Sequence, residues 1–215
     1  MKVIAINGGP RKHWNTATLL EEALRGAQSA GAETERIDLY DLDYKGCISC
    51  FACKRKGVLP DQCAVRDDLA PVLKRIHECD AVILGSPIYF SEVTGAMRAL
   101  MERVCFPYIS YDNAPVSFGR AIRSAFIYTM NVPEPALSKV GYDAKFTATE
   151  ALLKRIFGSA ESLAVTETFQ FDDYDKYASS MFDAAERRKR RETVFPEDCR
   201  KAFELGRRMC LPVQA

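Results

Sequence analysis

Four cysteines lie close together in the chain, and their thiols are suited to bind a metal or to take part in redox chemistry. They are four of the eight cysteines in a chain of 215 residues, and they are spaced as C-x2-C-x2-C-x9-C. These residues are Cys47, Cys50, Cys53 and Cys63. Three cysteines at intervals of three residues can surround one corner of a cubic iron–sulfur cluster, and a fourth completes a set of four thiolates. The spacing therefore favours a 4Fe-4S cluster, with a zinc ion, a redox-active thiol pair and reduced thiols without a metal as the alternatives.

A second group of polar side chains follows the first apolar run of the sequence. The run Lys2–Asn7 ends at Gly8-Gly9-Pro10, and the next stretch carries a guanidinium, an amide and hydroxyls but no acidic residue before Glu21. This pattern is typical of a strand, a tight loop and the first turn of a helix, where free N–H groups and the helix dipole favour an anion. We therefore predict that the segment binds a phosphate group. The candidate residues are Pro10, Arg11, Asn15, Thr16 and Thr18.

Two further segments follow apolar runs, at points where parallel strands would end at one edge of a sheet. The first carries a proline, an isoleucine and two aromatic residues where a loop is usually polar, and the second carries a methionine and an amide. The candidate residues are Pro87, Ile88, Tyr89, Phe90, Met130 and Asn131. Apolar side chains beside a ring and backbone groups at its polar edge suit a flavin, so phosphate and ring together predict FMN. Packing of the same apolar residues beneath a neighbouring loop or subunit is the alternative.

The elements that must position these residues are strands that alternate with amphipathic helices. Apolar runs predict five strands, and stripes of apolar residues at helical spacing separate them. The strands are expected at Lys2–Asn7, Thr34–Leu39, Ala81–Gly85, Ser124–Met130 and Leu163–Phe169. The alternation predicts an α/β fold, a doubly wound parallel sheet with helices on both faces. We expect one domain over residues 1–215, with a cysteine-rich insertion at 44–66 and a C-terminal helical extension at 170–215.

Composition and charge exclude several classes of function. The formal net charge of +1 gives no electrostatic reason to expect nucleic acid or a membrane surface as a partner. The basic run Arg187–Arg191 is flanked by Glu186 and Glu192, so we interpret it as a solvated helix face. No apolar run approaches the roughly 20 residues of a transmembrane helix, and the chain enters a strand at once, so no signal peptide is expected. We expect a cytoplasmic protein in which the other four cysteines pack as small apolar residues.

Three motifs together resemble those of the NADPH-dependent FMN reductases, and in particular of their iron–sulfur flavoprotein branch. The motifs are Asn7-Gly8-Gly9-Pro10-Arg11-Lys12 with Asn15-Thr16, Gly46-Cys47-Ile48-Ser49-Cys50-Phe51-Ala52-Cys53, and Gly85-Ser86-Pro87-Ile88-Tyr89-Phe90 with Thr94-Gly95. The resemblance implies a flavodoxin-like fold whose five-stranded parallel sheet has the order 2-1-3-4-5. It also implies noncovalently bound FMN and a homodimer or tetramer.

The resemblance implies an FMN-dependent oxidoreductase with NAD(P)H as its co-substrate. The acceptor would be a flavin, a quinone, another small molecule or an electron-transfer protein. The alternative is an electron-transfer flavoprotein in which FMN and a 4Fe-4S cluster exchange electrons with a ferredoxin-like partner. In either case the reaction chemistry belongs to the cofactor, so we expect no catalytic side chain.

Overall fold

Strands and helices follow one another in the alternating order that the sequence predicts. A computed structural model describes residues 1–58, 63–111 and 118–213. Its strands are β1 (Lys2–Asn7), β2 (Glu33–Asp38), β3 (Ala81–Tyr89), β4 (Glu92–Val93), β5 (Ile122–Thr129) and β6 (Gly158–Val165). Its α-helices are α1 (Asn15–Ser29), α2 (Leu69–Glu78), α3 (Gly95–Cys105), α4 (Tyr142–Phe157), α5 (Ala184–Thr193) and α6 (Phe195–Arg208).

The sheet has the strand order β2-β1-β3-β5-β6. Neighbouring strands in this order are parallel, and β1 pairs with β3 from Val3 opposite Ala81 to Asn7 opposite Gly85. The two-residue strand β4 lies outside this order and pairs antiparallel with the end of β3. Without β4, the order is the predicted 2-1-3-4-5.

Helices cover both faces of the sheet. Ile4 and Ile6 point to one face and pack in a core with residues of α2, α3 and α4. Val3 and Ala5 point to the other face and pack with residues of α1 and α6. A strand that is buried on both faces needs an unbroken apolar run, which is why β1 is recognisable from the sequence. This arrangement brings the carboxyl ends of the parallel strands to one edge of the sheet, where ligands bind in such folds.

The C-terminal segment contributes to the core as well as extending it. Helix α6 packs against α1 so closely that a Cβ atom on Gly26 would lie 1.9 Å from the carbonyl oxygen of Phe203. A Cβ atom on Gly206 would likewise lie 1.7 Å from the carbonyl oxygen of Ala23. Helix α6 therefore completes the helical layer on this face. Pro196 lies in its first turn, where its fixed φ and missing N–H cost nothing.

The last strand differs most from its predicted position. Strand β6 spans Gly158–Val165 and follows α4 directly, whereas the apolar pattern predicts Leu163–Phe169. The strand lies at the edge of the sheet and its residues are mostly half-buried or exposed, so its first half is small and polar rather than apolar. Consequently the residues after Val165 form a loop at the carboxyl edge of the sheet.

Two predicted segments extend beyond the described residues. The insertion at 44–66 includes residues 59–62, and the extension at 170–215 includes residues 214–215, all of which lie outside them. The described part of the insertion contains one turn of 3-10 helix, Ala52–Lys54. Within the described ranges, no helix has the length and apolar character needed to cross a bilayer.

Candidate functional site

A cleft of about 290 Å³ opens at the carboxyl edge of the sheet, between the loops that follow β1, β3, β5 and β6. Most of the residues predicted to bind the cofactor line this cleft, although they come from three separate segments. Those residues are Pro10, Arg11, Asn15, Thr16, Pro87, Ile88, Tyr89, Phe90, Met130 and Asn131. The fold thus brings the phosphate segment beside the apolar segments, and Thr18 is the member of the predicted set that lies outside the lining.

Polar side chains hold the loop between β1 and α1 in place. Asn7 Oδ1 accepts a hydrogen bond from the backbone N–H of Gly9 at 2.9 Å, and Thr94 Oγ1 donates to the carbonyl oxygen of Gly8 at 2.7 Å. A Cβ atom on Gly8 would lie 2.8 Å from that of Met97, so the loop approaches α3 closely. Among the described residues, no side chain caps the first turn of α1, and that turn has no acidic residue. Its N–H groups are therefore available to an anion.

Arg11 places a positive charge at the cleft among neutral partners. Its guanidinium lies 4.5 Å from the centre of the Trp14 ring and donates to the carbonyl oxygen of Gln170 at 2.6 Å. In the part of the chain that the structure describes, Arg11 forms no ion pair. Burial lowers the pKa of Arg11 below its ordinary value, because the charged form is partly desolvated. Arg11 is exposed at the rim of the cleft, and Asp172 is near enough for its charge to raise the pKa of the guanidinium. A guanidinium at this rim can give a phosphate two parallel charge-assisted hydrogen bonds.

The other polar residues of the phosphate segment have partners within the protein. Asn15 donates from Nδ2 to the carbonyl oxygen of Phe169 at 2.7 Å, and the Thr16 hydroxyl lies 2.8 Å from that of Thr129. The Thr18 hydroxyl donates at 3.0 Å to a carbonyl oxygen one turn earlier along the chain. Thr18 therefore stabilises the start of α1 from outside the cleft, and a direct contact between Thr18 and a phosphate stays a prediction.

A hairpin formed by β3 and β4 stands at the apolar side of the cleft. Its turn residues Phe90 and Ser91 have φ angles of 51° and 65°, the left-handed conformation that tight two-residue hairpins require. Lys145 donates to the carbonyl oxygen of Ser91 at 2.8 Å and pairs with Glu92 at 2.6 Å, which fixes the hairpin. Phe90 is fully exposed and Tyr89 is 43% exposed, so aromatic side chains stand beside the opening.

The structure adds a wall that the sequence analysis does not place. The lining residues outside the predicted set are Gly9, Trp14, Thr129, Thr168, Phe169 and Gln170. The Trp14 ring stacks on the Phe169 ring with centroids 6.2 Å apart, and its indole N–H donates to the Phe169 carbonyl oxygen at 2.8 Å. Phe169 lies in the predicted last strand, whereas the observed strand β6 ends at Val165. A prediction that ended the strand at Val165 would have placed Phe169 in a loop at the carboxyl edge of the sheet, and so in this wall.

The four clustered cysteines line one small cavity of about 20 Å³. They are Cys47, Cys50, Cys53 and Cys63. Ser49 and Phe51, which flank Cys50, both have a φ angle of 54°. Left-handed residues in such loops turn backbone N–H groups toward one side, an arrangement found around anions and iron–sulfur clusters. As placed in the described ranges, however, no three His, Cys, Asp or Glu side chains surround a common metal position, so the role of these cysteines as metal ligands stays a prediction.

A buried arginine joins the two ends of the insertion. Arg103 in α3 is 2% exposed and pairs with Asp67 at 2.5 Å. It also donates to the carbonyl oxygens of Lys45 at 3.2 Å and Val65 at 3.3 Å. One guanidinium therefore ties both ends of the cysteine loop to the same helix, which positions the loop beside the core.

Sequence comparison with known proteins matches the first part of the chain. A model of the family described as NADPH-dependent FMN reductase matches residues 1–125. An iron–sulfur flavoprotein of Methanocaldococcus jannaschii is 44% identical over 103 residues, which are 48% of this chain and 51% of that protein. An iron–sulfur flavoprotein of Archaeoglobus fulgidus is 32% identical over 128 residues, which are 60% of this chain and 54% of that protein. The chain thus spans about half the length of these curated relatives.

Structural comparison covers nearly the whole chain. An NAD(P)H:quinone oxidoreductase from Methanothermobacter marburgensis superposes with a TM-score of 0.70 over 96% of this chain and 98% of that one. The two sequences are 17% identical, so this likeness shows the fold alone. It confirms the predicted flavodoxin-like α/β architecture.

Proposed function

Because the chain belongs to the NADPH-dependent FMN reductase family, we propose that it is an FMN-dependent oxidoreductase that uses NAD(P)H to reduce a small-molecule acceptor, such as a quinone or a second flavin. The cleft carries this proposal, because it joins an uncapped helix N-terminus and Arg11 to an apolar wall at Pro87–Tyr89. FMN has a phosphate at one end and a flat ring system at the other. The phosphate needs N–H groups and a positive charge, and the ring needs apolar contacts close by.

Residues at the start of α1 would hold the phosphate of FMN. The N–H groups of the first helical turn supply hydrogen bonds, and Arg11 supplies the balancing charge. Asn15 and Thr16 line the same end of the cleft. A phosphate at this point neutralises a guanidinium that otherwise contacts a carbonyl oxygen and an indole ring. The donor set therefore fits a phosphate monoester.

Residues in the last part of β3 and directly after β5 would hold the ring system. Pro87, Ile88 and Met130 offer apolar contact to its face, and the Asn131 amide is oriented by its hydrogen bond to the Gln170 side chain. When bound, FMN supplies the hydride and electron transfer, for which proteins have no side chain of their own. The chain's residues bind the ring, orient it and cover one side of it.

Aromatic side chains around the opening suit a planar co-substrate. The exposed aromatic residues are Tyr40, Tyr89, Phe90 and Tyr177. Tyr89 and Tyr177 lie near enough to Arg11 to interact with its charge, and Tyr40 lies near Tyr89. Burial raises the pKa of Tyr89 above its ordinary value, and its phenol can donate a hydrogen bond. A nicotinamide or a quinone would stack on this aromatic rim.

The proposal includes an assembly and a compartment. Exposed aromatic residues beside a cleft are a surface that a second subunit commonly covers, so we favour a homodimer or tetramer. The eight cysteines are free thiols, which suits the reducing environment of the cytoplasm.

Anaerobic turnover of the FMN-loaded protein tests this function. We expect oxidation of NADPH or NADH that depends on an added quinone or free flavin, with a turnover number of at least about 1 per second, the low end of ordinary enzymes. The same protein without FMN is the control and should show no turnover. Loaded protein that oxidises neither nicotinamide with any acceptor would contradict the reductase and leave electron transfer from a protein donor as the function.

The spacing of the four cysteines supports a second candidate function, in which FMN and a 4Fe-4S cluster exchange electrons with a ferredoxin-like partner. The cavity of about 20 Å³ would have to widen to admit such a cluster. The four thiols line one cavity, and the loop that carries them has two left-handed residues. The matched relatives are named iron–sulfur flavoproteins. A zinc ion, a redox-active thiol pair and metal-free thiols are the competing states of this cavity.

Replacing Cys50 with Ser should remove the cluster. We expect about four iron and four sulfide per chain in anaerobically purified or reconstituted wild-type protein, because a cubic cluster has this composition, and we expect Cys50→Ser to lose most of both. Cys199→Ser, on α6 and outside the cavity, is the matched control and should keep them. A wild-type protein that takes up zinc or no metal would reject the cluster, and a Cys50→Ser protein with full iron would reject the ligand assignment.

A further inference from the structure

The basic run in α5 faces inward at three of its five positions. Arg187, Arg190 and Arg191 are half-buried, whereas Arg188 and Lys189 are exposed. The prediction of a solvated helix face therefore holds for the two exposed residues and is wrong for the three half-buried arginines. Helical spacing explains the difference, because positions 187, 190 and 191 share one side of the helix.

The three inward arginines have different partners. Arg190 pairs with Asp198 at 2.8 Å and joins α5 to α6. Arg187 donates to the carbonyl oxygen of Asn131 at 3.3 Å, in the loop after β5. Arg191 reaches Asn15 at the start of α1. Helix α5 thus contacts two of the loops that line the cleft.

Arg191 resembles Arg11 in its surroundings. Its guanidinium donates from Nη1 to Asn15 Oδ1 at 2.9 Å and lies 3.9 Å from the centre of the Phe195 ring. Within the described residues it has no ion-pair partner. Burial and the neighbouring charge of Arg190 both lower the pKa of Arg191. The exposed Arg11 and the half-buried Arg191, whose direct hydrogen-bond acceptors are a carbonyl oxygen and an amide oxygen, thus lie near the N-terminus of one helix.

We propose that Arg191 is a positioning residue for the phosphate of FMN. It acts in two ways: it orients the side chain of Asn15, and its positive charge attracts the phosphate. The inference rests on the proposed function. Asn15 Oδ1 accepts a hydrogen bond from Arg191, and Asn15 Nδ2 donates one to the Phe169 carbonyl oxygen. These two hydrogen bonds fix the orientation of the Asn15 amide. The positive charge behind this amide adds to the field of the helix N-terminus, and that field acts on a phosphate but not on a neutral ring.

This contribution comes from outside the region that the family model matches. The match covers residues 1–125, whereas Arg191 lies in the C-terminal segment. Arg190 already joins α5 to α6 through a nearly buried ion pair, so attachment of the helix does not require Arg191. The two neighbouring arginines are therefore expected to have separable roles, one in stability and one in recognition of the phosphate.

Three single substitutions in one helix test the proposal by titration of the apoprotein with FMN and with riboflavin, which lacks the phosphate. Arg191→Gln should raise the Kd for FMN about tenfold, equivalent to about 1.4 kcal/mol, and change the Kd for riboflavin less than about twofold. Arg190→Gln should lower the melting temperature with little change in the ratio of the two Kd values. Arg188→Gln, at an exposed position, should change neither quantity.

Arg191→Lys tests whether the charge of Arg191, rather than its packing alone, accounts for the change in FMN affinity. Lysine keeps the charge but cannot reproduce the planar contact with Phe195, so we expect a Kd for FMN between those of the wild type and Arg191→Gln. A full preference for FMN over riboflavin in Arg191→Gln, or an equal loss of affinity for both flavins, would overturn the inference alone. A wild-type protein that binds both flavins equally would overturn the proposed function as well, so the two failures are distinguishable.

Discussion

Replacing Arg11 with Glu should raise the Kd for FMN at least about 100-fold, which corresponds to about 2.7 kcal/mol. The substitution exchanges attraction for repulsion at the rim of the cleft, near the protein surface, where two unit charges 4 Å apart interact by about 4 kcal/mol at an effective dielectric constant of 20. Riboflavin carries no phosphate, so its Kd should change less than about threefold by the same reasoning. Titration of the apoprotein with each flavin, followed by quenching of flavin fluorescence, gives both values.

Lys12→Glu is the matched control for this charge reversal. Lys12 is the next residue in the chain, its side chain is 43% exposed and it pairs with Asp41 rather than with the cleft. Lys12 is not among the residues that line the cleft, so solvent and salt screen its charge from a phosphate bound there, and we expect less than about a fivefold change in the Kd for FMN. If Lys12→Glu weakens FMN binding as much as Arg11→Glu does, the effect reflects net charge, and Arg11 is not the residue that recognises the phosphate.

Replacing Gly206 with Ala should destabilise the fold by about 3 kcal/mol or more, because a Cβ atom there cannot be accommodated without separating two helices. That atom would lie 1.7 Å from the carbonyl oxygen of Ala23. Backbone on α1 cannot move aside as a flexible side chain would, and α1 also carries the proposed phosphate site at its other end. Urea denaturation should show a lower midpoint with an unchanged slope.

Gly95→Ala is the control for the glycine prediction. Gly95 begins α3, and a Cβ atom added there meets nothing within 4 Å. Alanine also favours a helix over glycine by up to about 1 kcal/mol, so this variant should be as stable as the wild type or slightly more so. A Gly206→Ala protein with wild-type stability would show that α1 and α6 are not packed as closely as the structure has them.

The strand order and most of the cleft could be predicted from the sequence because strands buried on both faces leave a strong signal. β1 is apolar from Val3 to Ile6 and β3 from Ala81 to Gly85. The Gly-Gly-Pro segment follows β1, and the Ser-Pro-Ile-Tyr-Phe segment forms the end of β3 and the first residue of the turn after it. The family predicted from these motifs is confirmed by the match over residues 1–125. Buried strands and their loops are local features, so one sequence is enough to find them.

The fourth wall of the cleft could not be predicted because it depends on an edge strand. Most residues of β6 are half-buried or exposed, and its first half is small and polar, so the strand has no continuous apolar run. Its end at Val165 therefore cannot be located from a search for apolar runs. Phe169 is therefore the last residue of a predicted strand, and Gln170 is the first residue of the predicted C-terminal extension. Their role as acceptors for Trp14, Asn15 and Arg11 depends on contacts across more than 150 positions in the chain.

The inward-facing arginines of α5 show a different limit of sequence analysis. Arg187–Arg191 has the flanking glutamates of a solvated helix, and this composition does not reveal which side chains face the core. The contact between Arg191 and Asn15 joins positions 176 residues apart. The packing of the C-terminal segment on α1 decides this contact, and Gly26 and Gly206 allow it.

The most direct test of the central claim is a titration of the wild-type apoprotein with FMN and with riboflavin under the same conditions. We expect one FMN per chain and a Kd for FMN at least about tenfold lower than that for riboflavin, since the phosphate contributes charge-assisted hydrogen bonds. Inorganic phosphate should compete with FMN. A protein that binds neither flavin, or that binds both with equal affinity, would contradict the assignment of the cleft to a flavin held by its phosphate.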